Sequence, residues 1–203
     1  MSPEGAASES KGSDDREPTD AYLVRRFQAG DTDAFTSLMR RHERSVYNLA
    51  FRMLGRTEDA RDATQDAFLS CYRHLSTFRG DAAFSTWLHR IAVNACYDTL
   101  RKRPAVTSIE EEVPDPATVA DPSDRSAEAA DVQRALLEVP PEYRAVLILH
   151  EIQDQPVEAV AAALDIPVGT VKSRLHRARV ALGRALAGNP AASVPRPTPR
   201  SHD

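Results

Sequence analysis

A proline-rich, acidic segment near the middle of the chain does most to limit how the chain can fold. Residues 104–127 contain four prolines and a run of three glutamates, Glu110 to Glu112. Proline removes the amide donor that a helix or sheet needs, and charged side chains keep a segment in water. The composition therefore predicts a flexible acidic linker that joins two small domains, at residues 19–103 and 128–187.

The two ends of the chain differ from these domains in composition. Residues 1–18 are rich in Ser, Gly, Asp and Glu, and residues 188–203 repeat Pro, Ala, Ser and Arg, so we expect disordered tails. The first residues lack the basic and apolar stretches of a secretion signal. The sequence also has no apolar run near the roughly 18 residues of a membrane span, and we expect a cytoplasmic protein.

The two cysteines, Cys71 and Cys96, do not form a CxxC pair. In a reducing compartment, free and buried thiols are the usual state of such residues. We therefore expect no disulfide.

Both domains show the apolar spacing of helices, and alternating strand patterns are missing, so the predicted fold class is all-α. Asp31 and Thr57 are candidate N-caps, and Pro156 suits a first helical position. The predicted helices cover residues 20–29, 31–54, 57–76 and 82–102 in the first domain, and 128–138, 141–152, 156–164 and 168–186 in the second.

Charge is distributed unevenly along the chain. The total is −4, but residues 19–103 carry a net +4 and residues 166–187 a net +5. The segments 104–127 and 128–165 carry −5 and −6. Because a local basic stripe is enough to bind phosphates, the total charge does not exclude a nucleic-acid partner.

The third predicted helix has one apolar and one mainly polar face. The apolar face consists of Ala60, Ala63, Ala67, Phe68, Cys71, Tyr72 and Leu75. Leu69 is the apolar member of the other face and indicates either a partner site or an ordinary exposed leucine. That face consists of Asp62, Gln65, Asp66, Leu69 and Arg73.

The fourth predicted helix combines a core stripe with a row of amide, aromatic and guanidinium groups. Trp87 belongs to the core stripe. The second row suits stacking on unpaired bases and contact with phosphates, but it also fits a solvated face with a basic C-terminal end, and the spacing alone leaves both open. The row and the basic end consist of Arg90, Asn94, Tyr97, Arg101, Lys102 and Arg103.

The second domain contains a helix-turn-helix pattern. A short helix over 156–164, a turn over 165–167 and a basic helix from Val168 follow one another. A basic surface helix in a bundle is the alternative, but residues 166–187 hold five cations and no acid. The seam is Val171, Leu175, Ala178 and Leu182; the opposite face is Gly169, Thr170, Ser173, His176 and Arg177, flanked by Lys172 and Arg179.

Motifs of catalysis and metal binding are missing from the sequence. It has no phosphate-binding GxxxxGK[ST] loop, no GxSxG elbow and no HExxH pair, and the six histidines are scattered. We therefore expect no enzyme activity, no cofactor and no metal site.

Four segments resemble extracytoplasmic function (ECF) sigma factors of the sigma-70 family. DARDATQDAFL at residues 59–69 is similar to their polymerase-binding helix, and FRGDAAFSTWLHRIAVN at 78–94 to their promoter-melting segment. LEVPPEYRAVL at 137–147 and IPVGTVKSRLHRAR at 166–179 resemble their C-terminal domain. The segments occur in the family's order and cover nearly everything outside the tails and the linker.

The resemblance implies a role for each domain. The first would be sigma region 2, which binds core RNA polymerase and melts and reads the −10 element, and the second sigma region 4, which reads the −35 element as duplex. The linker would thread a basic RNA channel, and an anti-sigma protein is a further expected partner. Asp165 departs from the glycine of many relatives, but aspartate tolerates a left-handed backbone.

The resemblance also implies three sets of binding residues. Phe78 and Asn94 would surround the pocket for a flipped −10 base. The polymerase set would be Asp62, Gln65, Asp66, Leu69 and Arg73; the −10 set Phe78, Arg90, Asn94, Tyr97, Arg101, Lys102 and Arg103; and the −35 set Gly169, Thr170, Lys172, Ser173, His176, Arg177 and Arg179.

Two other classes of protein remain as alternatives. A helix-turn-helix repressor or activator would need a ligand or dimer domain upstream, and the first domain has no sign of one. An adaptor that binds polymerase without DNA would not need the outward face of residues 169–177.

Overall fold

The computed structural model describes residues 17–103 and 127–188, and the regular elements in these two ranges are helical. A 3-10 turn, Leu75–Thr77, follows α3, and a π-helical turn, Ile148–Ile152, continues α6. The helices are α1 Asp20–Gln28, α2 Asp33–Leu54, α3 Thr57–His74, α4 Phe84–Lys102, α5 Ala127–Glu138, α6 Pro141–Leu147, α7 Val157–Leu164 and α8 Val168–Gly188.

The predicted all-α class and the eight predicted helices are confirmed, with ends that differ by a few residues. The third helix stops at His74 because the chain tightens there into the 3-10 turn. The disordered tails and the flexible linker that the composition predicts lie outside the described residues.

Helix α2 forms the centre of the first domain and packs against α1, α3 and α4. Its inward side chains, among them Leu38, Leu49 and Met53, are completely buried. Burial of an aliphatic side chain of this size contributes about 1.5–3 kcal/mol, so this single helix supplies much of the domain's apolar stabilisation.

The helix starts differ from the sequence prediction in detail. Thr57 is not an N-cap: Arg56 holds that position without a side-chain cap, and Thr57 is buried inside the first turn of α3. Asp31 precedes the N-cap of α2, Thr32, by one residue, and its Oδ1 accepts from the amide of Asp33 at 3.1 Å. Thr19 is a cap that the sequence analysis missed; its Oγ1 accepts from the amide of Tyr22 at 3.3 Å.

Tyr72 is also placed differently from the prediction. The helical spacing predicts it on the buried face of the third helix, but 46% of it is exposed. Its ring packs edge-on against Phe27 and Phe35, with centroids 5.4 and 5.0 Å away. The ring therefore lies on the rim between α1, α2 and α3, where its hydroxyl can stay in water.

Both cysteines are free and completely buried, as the sequence predicts. Cys71 lies on α3 and Cys96 on α4. Burial raises the pKa of each thiol to about 12, because the apolar surroundings disfavour the thiolate.

The second domain packs directly on the first. Helix α7 lies against α4, and α5 and the π-helical turn lie against α2. Gly55, which ends α2 with a φ of +77°, allows a close approach: a Cβ there would lie 2.4 Å from Cδ1 of Leu137. The left-handed backbone favours glycine at this position, and a larger residue would also have to displace the Leu137 side chain.

A buried histidine lies near this interface. His89 is 3% exposed, and its Nε2 is 3.3 Å from Oγ of Ser45. Because the Ser45 hydroxyl donates to Oε1 of Gln153 in the second domain at 2.7 Å, the histidine nitrogen is the donor. Its Nδ1 then has no hydrogen-bond partner. Burial, together with the nearby His42, lowers the pKa of His89 to about 4.

Protonation of His89 should make stability depend on pH. The pKa in the folded chain lies below the usual 6.5, so the unfolded chain binds more protons between about pH 4 and pH 6.5. The stabilisation is complete above that window and falls by about 3 kcal/mol as the pH drops through it. Unfolding in urea between pH 4.5 and 7.5 measures this slope.

One variant isolates the contribution of His89. His89→Gln should flatten the pH dependence of the free energy of unfolding relative to the parent chain. Equal slopes in the parent and the His89 variant would contradict the assignment.

Candidate functional site

A depression of about 570 Å³ lies between the end of α3, the loop that follows it and α4. Its wall includes the aromatic rings of Phe78 and Trp87, whose centroids are 4.8 Å apart. Asn94 is exposed at the edge and Arg90 reaches the same space. The depression thus offers stacking surfaces, an amide and a cation, which are the groups that hold an unpaired base.

Trp87 contributes to this wall although the sequence analysis placed it in the core. It is half-buried, and one side packs against the core cluster while another part lines the depression. A helical stripe shows which side of a residue faces inward, but it does not show that a large ring extends past the edge of the stripe.

Gln28 is a further residue that the sequence analysis missed. Its Nε2 donates to the carbonyl oxygens of Leu75 and Phe78, at 3.1 and 2.9 Å. The amide thereby fixes the loop that carries Phe78, which also turns at Gly80 with a φ of +79°. The sequence shows only a polar side chain at the end of a short helix. The two carbonyl groups that it binds are 47 and 50 positions away in the chain, so local spacing does not reveal them.

The basic residues at the end of α4 have different surroundings. Lys102 is exposed, and the exposed Arg101 pairs with Asp98 one turn earlier on α4. Arg103, which is predicted among the phosphate-binding groups, has partners inside its own domain in this structure. Its guanidinium turns inward to the carboxylate of Asp59 and the Leu54 carbonyl, so it joins α4 to the end of α2.

Tyr97 of the same row is half-buried. Burial raises the pKa of its hydroxyl, with smaller effects from Arg174 and Glu142 of the second domain. In this structure Tyr97 therefore lies near the second domain instead of on an open surface.

The second domain forms the predicted helix-turn-helix. Asp165 ends α7 in the left-handed region, with φ 54° and ψ 47°, as its side chain tolerates. Val171, Leu175 and Ala178 of α8 are buried as predicted, whereas Leu182 is only half-buried.

The outward face of α8 is available as the sequence predicts. Thr170 is half-buried, and Oγ of Ser173 donates to its carbonyl at 3.0 Å. The remaining members of the predicted face are exposed: Gly169, Lys172, Ser173, His176, Arg177 and Arg179.

Two arginines of this face have neighbours in the same domain. Arg177 lies 6.0 Å from the centroid of the Tyr143 ring and donates to its hydroxyl at 3.2 Å. Arg179 pairs with Glu151, with an Nε–Oε1 distance of 3.1 Å. Exposed pairs contribute about 0–1 kcal/mol, so a phosphate can replace Glu151 at small cost.

A second surface lies between α2 and α3 of the first domain. A groove of about 650 Å³ runs between α2 and α3, and Leu69 and Tyr72, each 46% exposed, form part of it. An apolar groove with polar edges is typical of a protein-binding site. Phe35, Met39 and Tyr47 of α2 also line it, and they are not among the predicted site residues.

The predicted polar face of α3 borders this groove. Gln65 and Leu69 belong to the groove itself. All five residues of the predicted set are exposed: Asp62, Gln65, Asp66, Leu69 and Arg73.

Residues 17–103 and 127–188 contain no group of three His, Cys, Asp or Glu side chains that could hold a metal ion. No helix within the described parts of the chain is both long and apolar enough to span a bilayer.

Comparison with known protein families matches both domains of the chain to regions of one family. The family description "Sigma-70 region 2" matches residues 38–105, and "Sigma-70, region 4" matches residues 129–182. These ranges hold α2 to α4 with the depression and the groove, and α5 to α8 with the helix-turn-helix.

Individual proteins of this family are similar to the chain along most of its length. The chain is 46% identical over 173 residues to the ECF RNA polymerase sigma factor SigM of Mycobacterium tuberculosis, with 84% of this chain and 86% of SigM covered. It is 35% identical to SigW of Bacillus subtilis, over 80% and 94% of the two chains. The solved structure of CnrH, in complex with the cytosolic domain of CnrY, matches with a TM-score of 0.67 and 27% identity, over 84% and 98% of the chains.

Proposed function

Because the chain belongs to the sigma-70 family of RNA polymerase sigma factors, within the ECF subgroup, we propose a specific division of its function between the two domains. A sigma factor of this kind binds core RNA polymerase, directs it to promoters and promotes DNA melting. In our proposal residues 19–103 bind the polymerase and open the −10 element, and residues 128–187 read the −35 element as duplex. The role of each domain is inferred from the depression beside α4, the groove between α2 and α3, and the outward face of α8.

The depression beside α4 is the observation that supports this proposal most strongly. Aromatic rings, the Asn94 amide and the Arg90 guanidinium converge on one open space beside a helix. Extrusion of a base from duplex costs a few kcal/mol, which stacking and an edge hydrogen bond must offset. The depression has both kinds of group, whereas a chain that binds duplex alone needs neither.

The groove between α2 and α3 supports the polymerase assignment. Leu69 and Tyr72 present apolar surface, and acidic and basic side chains surround them. Such a composition fits a protein interface, with an apolar anchor inside a polar rim.

We also propose the chain's place and its regulator. Its action is cytoplasmic, where the polymerase lies, and it carries out no catalysis of its own, since its family consists of transcription regulators. CnrH was solved with a second protein bound. By analogy, we propose that an anti-sigma protein holds this chain when its promoters are silent.

Transcription in vitro tests the whole proposal. Purified chain and core polymerase are combined with a library of genomic promoter fragments, and transcripts are sequenced. We expect initiation from a small set of promoters only when both proteins are present. Binding to DNA without any transcript would favour a repressor or activator, and binding to polymerase without promoter selection would favour an adaptor.

Two arginines of α8 should affect promoters in different ways. Arg177 lies on the outward face, so Arg177→Ala should weaken promoter binding by about 1–3 kcal/mol. The substitution should also relax the base preference at one or two positions of the −35 element. Arg179 flanks the face, so Arg179→Ala should weaken all promoters alike and reduce the dependence on salt. Transcript profiles over the promoter library measure both effects.

The comparison of the two profiles decides the assignment. If both substitutions weaken every promoter equally, the division into base-reading and phosphate-binding side chains is wrong.

A further inference from the structure

Tyr143 of α6 contacts one of the arginines on the outward face of α8. Its hydroxyl accepts a hydrogen bond from Nη1 of Arg177 at 3.2 Å, and the guanidinium carbon lies 6.0 Å from the centroid of its ring. The two residues are 34 positions apart and meet because α6 and α8 pack against each other. The Arg177 side chain, although exposed, thus has a neighbour from another helix of its own domain.

The Tyr143 ring is itself held in place by the interior of the protein. It is half-buried and packs against the apolar core. A tyrosine has few side-chain torsions, so a ring that is fixed in this way loses little further entropy when a partner binds. An arginine has more torsions, and their freedom is lost when the guanidinium binds a base. The contact with Tyr143 therefore restricts the arginine before DNA is present.

The chemistry of the contact leaves Arg177 able to bind DNA. A phenol hydroxyl is an uncharged acceptor, and it takes only one of the N–H donors that a guanidinium presents in a planar fork. The remaining donors match the acceptors O6 and N7 on the major-groove edge of guanine. Arg179 differs, because its Nε lies 3.1 Å from the carboxylate of Glu151, which a phosphate has to replace.

We propose that Tyr143 is a positioning residue that holds the Arg177 guanidinium for a guanine of the −35 element. The proposal rests on the function proposed above, because it requires that Arg177 reads a base edge in the duplex. Tyr143 acts through Arg177 and makes no contact with DNA itself. Its hydroxyl therefore contributes to the preference for one base and has no part in the general attachment to phosphates.

Tyr143→Phe tests the hydroxyl, because phenylalanine keeps the ring and its packing against the core. The full chain is assembled with core polymerase, and its affinity for a promoter from the transcription screen is titrated at fixed salt. Each position of the −35 element carries each of the four bases in turn. At one position the affinity for guanine should fall about fivefold, the typical net effect of one hydrogen bond, whereas the affinities for the other bases should keep the parent values.

Arg177→Ala shows whether the hydroxyl acts through the arginine. In the Arg177→Ala chain the preference for guanine at that position should be lost, and the addition of Tyr143→Phe should change no affinity further. A tyrosine with a purely structural role would behave differently, because its loss would lower the affinities for all four bases in both backgrounds.

Tyr22→Phe provides a matched control in the first domain. The guanidinium carbon of Arg26 lies 5.8 Å from the centroid of the Tyr22 ring, so the two residues form the same kind of pair on α1, outside the helix-turn-helix. Removal of the Tyr22 hydroxyl should leave the affinity for every version of the promoter at the parent value.

The pattern of losses decides the proposal. A loss that is specific for guanine and disappears in the Arg177→Ala chain supports it. No loss, or an equal loss for all four bases, would overturn it, and a loss that persists without Arg177 would instead mean that the Tyr143 hydroxyl binds DNA directly. In these cases the proposed function stands. If Arg177→Ala itself leaves every base preference intact, the base-reading role of Arg177 fails together with the proposal.

Discussion

Replacing Leu69 with aspartate should abolish assembly of the chain with core RNA polymerase. Leu69 is 46% exposed at the edge of the α2–α3 groove, where nothing in its own domain requires an apolar side chain. In the complex, the aspartate would be a charge buried in an apolar contact without a partner. Central anchors of protein interfaces contribute about 2 kcal/mol or more, so we expect at least about a 30-fold loss of affinity. Co-purification and a binding titration with core polymerase measure it.

Val180→Asp provides a matched control. Val180 is 41% exposed on α8, outside the groove, and the same charge there should leave the affinity for polymerase unchanged. Both variants should keep the helix content of the parent chain, because both positions face solvent. Normal co-purification of the Leu69 variant would remove α3 from the polymerase interface.

Replacing Asn94 with alanine should leave polymerase binding intact but strongly reduce open promoter complexes. The Asn94 side chain is exposed at the depression and can donate to or accept from the edge of a flipped base. Loss of that contact leaves the base edge unpaired, at a cost of about 2–3 kcal/mol, or roughly 30- to 150-fold in open complex. Permanganate footprinting on a promoter from the transcription screen measures the open fraction.

A template with a pre-melted bubble distinguishes two roles for Asn94. If the amide reads the flipped base, the defect should persist on the bubble, and this is the result we expect. If the defect disappears there, Asn94 only assists opening. A variant that opens linear promoters as well as the parent chain does would exclude Asn94 from the site.

The helices could be predicted because each depends on local spacing. Apolar residues recur every three or four positions, and prolines and polar turns separate the runs. Exposure of the outward face of α8 followed from the same spacing, since the seam of Val171, Leu175 and Ala178 fixes which side points away.

The contacts that helical spacing could not predict have a different physical origin. Arg103 belongs to a basic run, and only the folded chain brings Asp59, 44 positions away, close enough to bind it. The contact of Gln133 with the end of α2 spans more than 80 positions. Partners of this kind depend on how helices pack, and one sequence contains no periodicity that reports it.

The two buried, unreactive thiols make the chain suitable for site-specific fluorescent labelling. Burial raises the pKa of Cys71 and Cys96 to about 12, so both remain thiols at pH 7, and both are shielded from solvent. A maleimide dye would therefore react with an engineered surface cysteine long before either native one. Fluorophore pairs could be attached to the two domains of an otherwise unaltered chain, and energy transfer could then follow single molecules as polymerase and promoter are added.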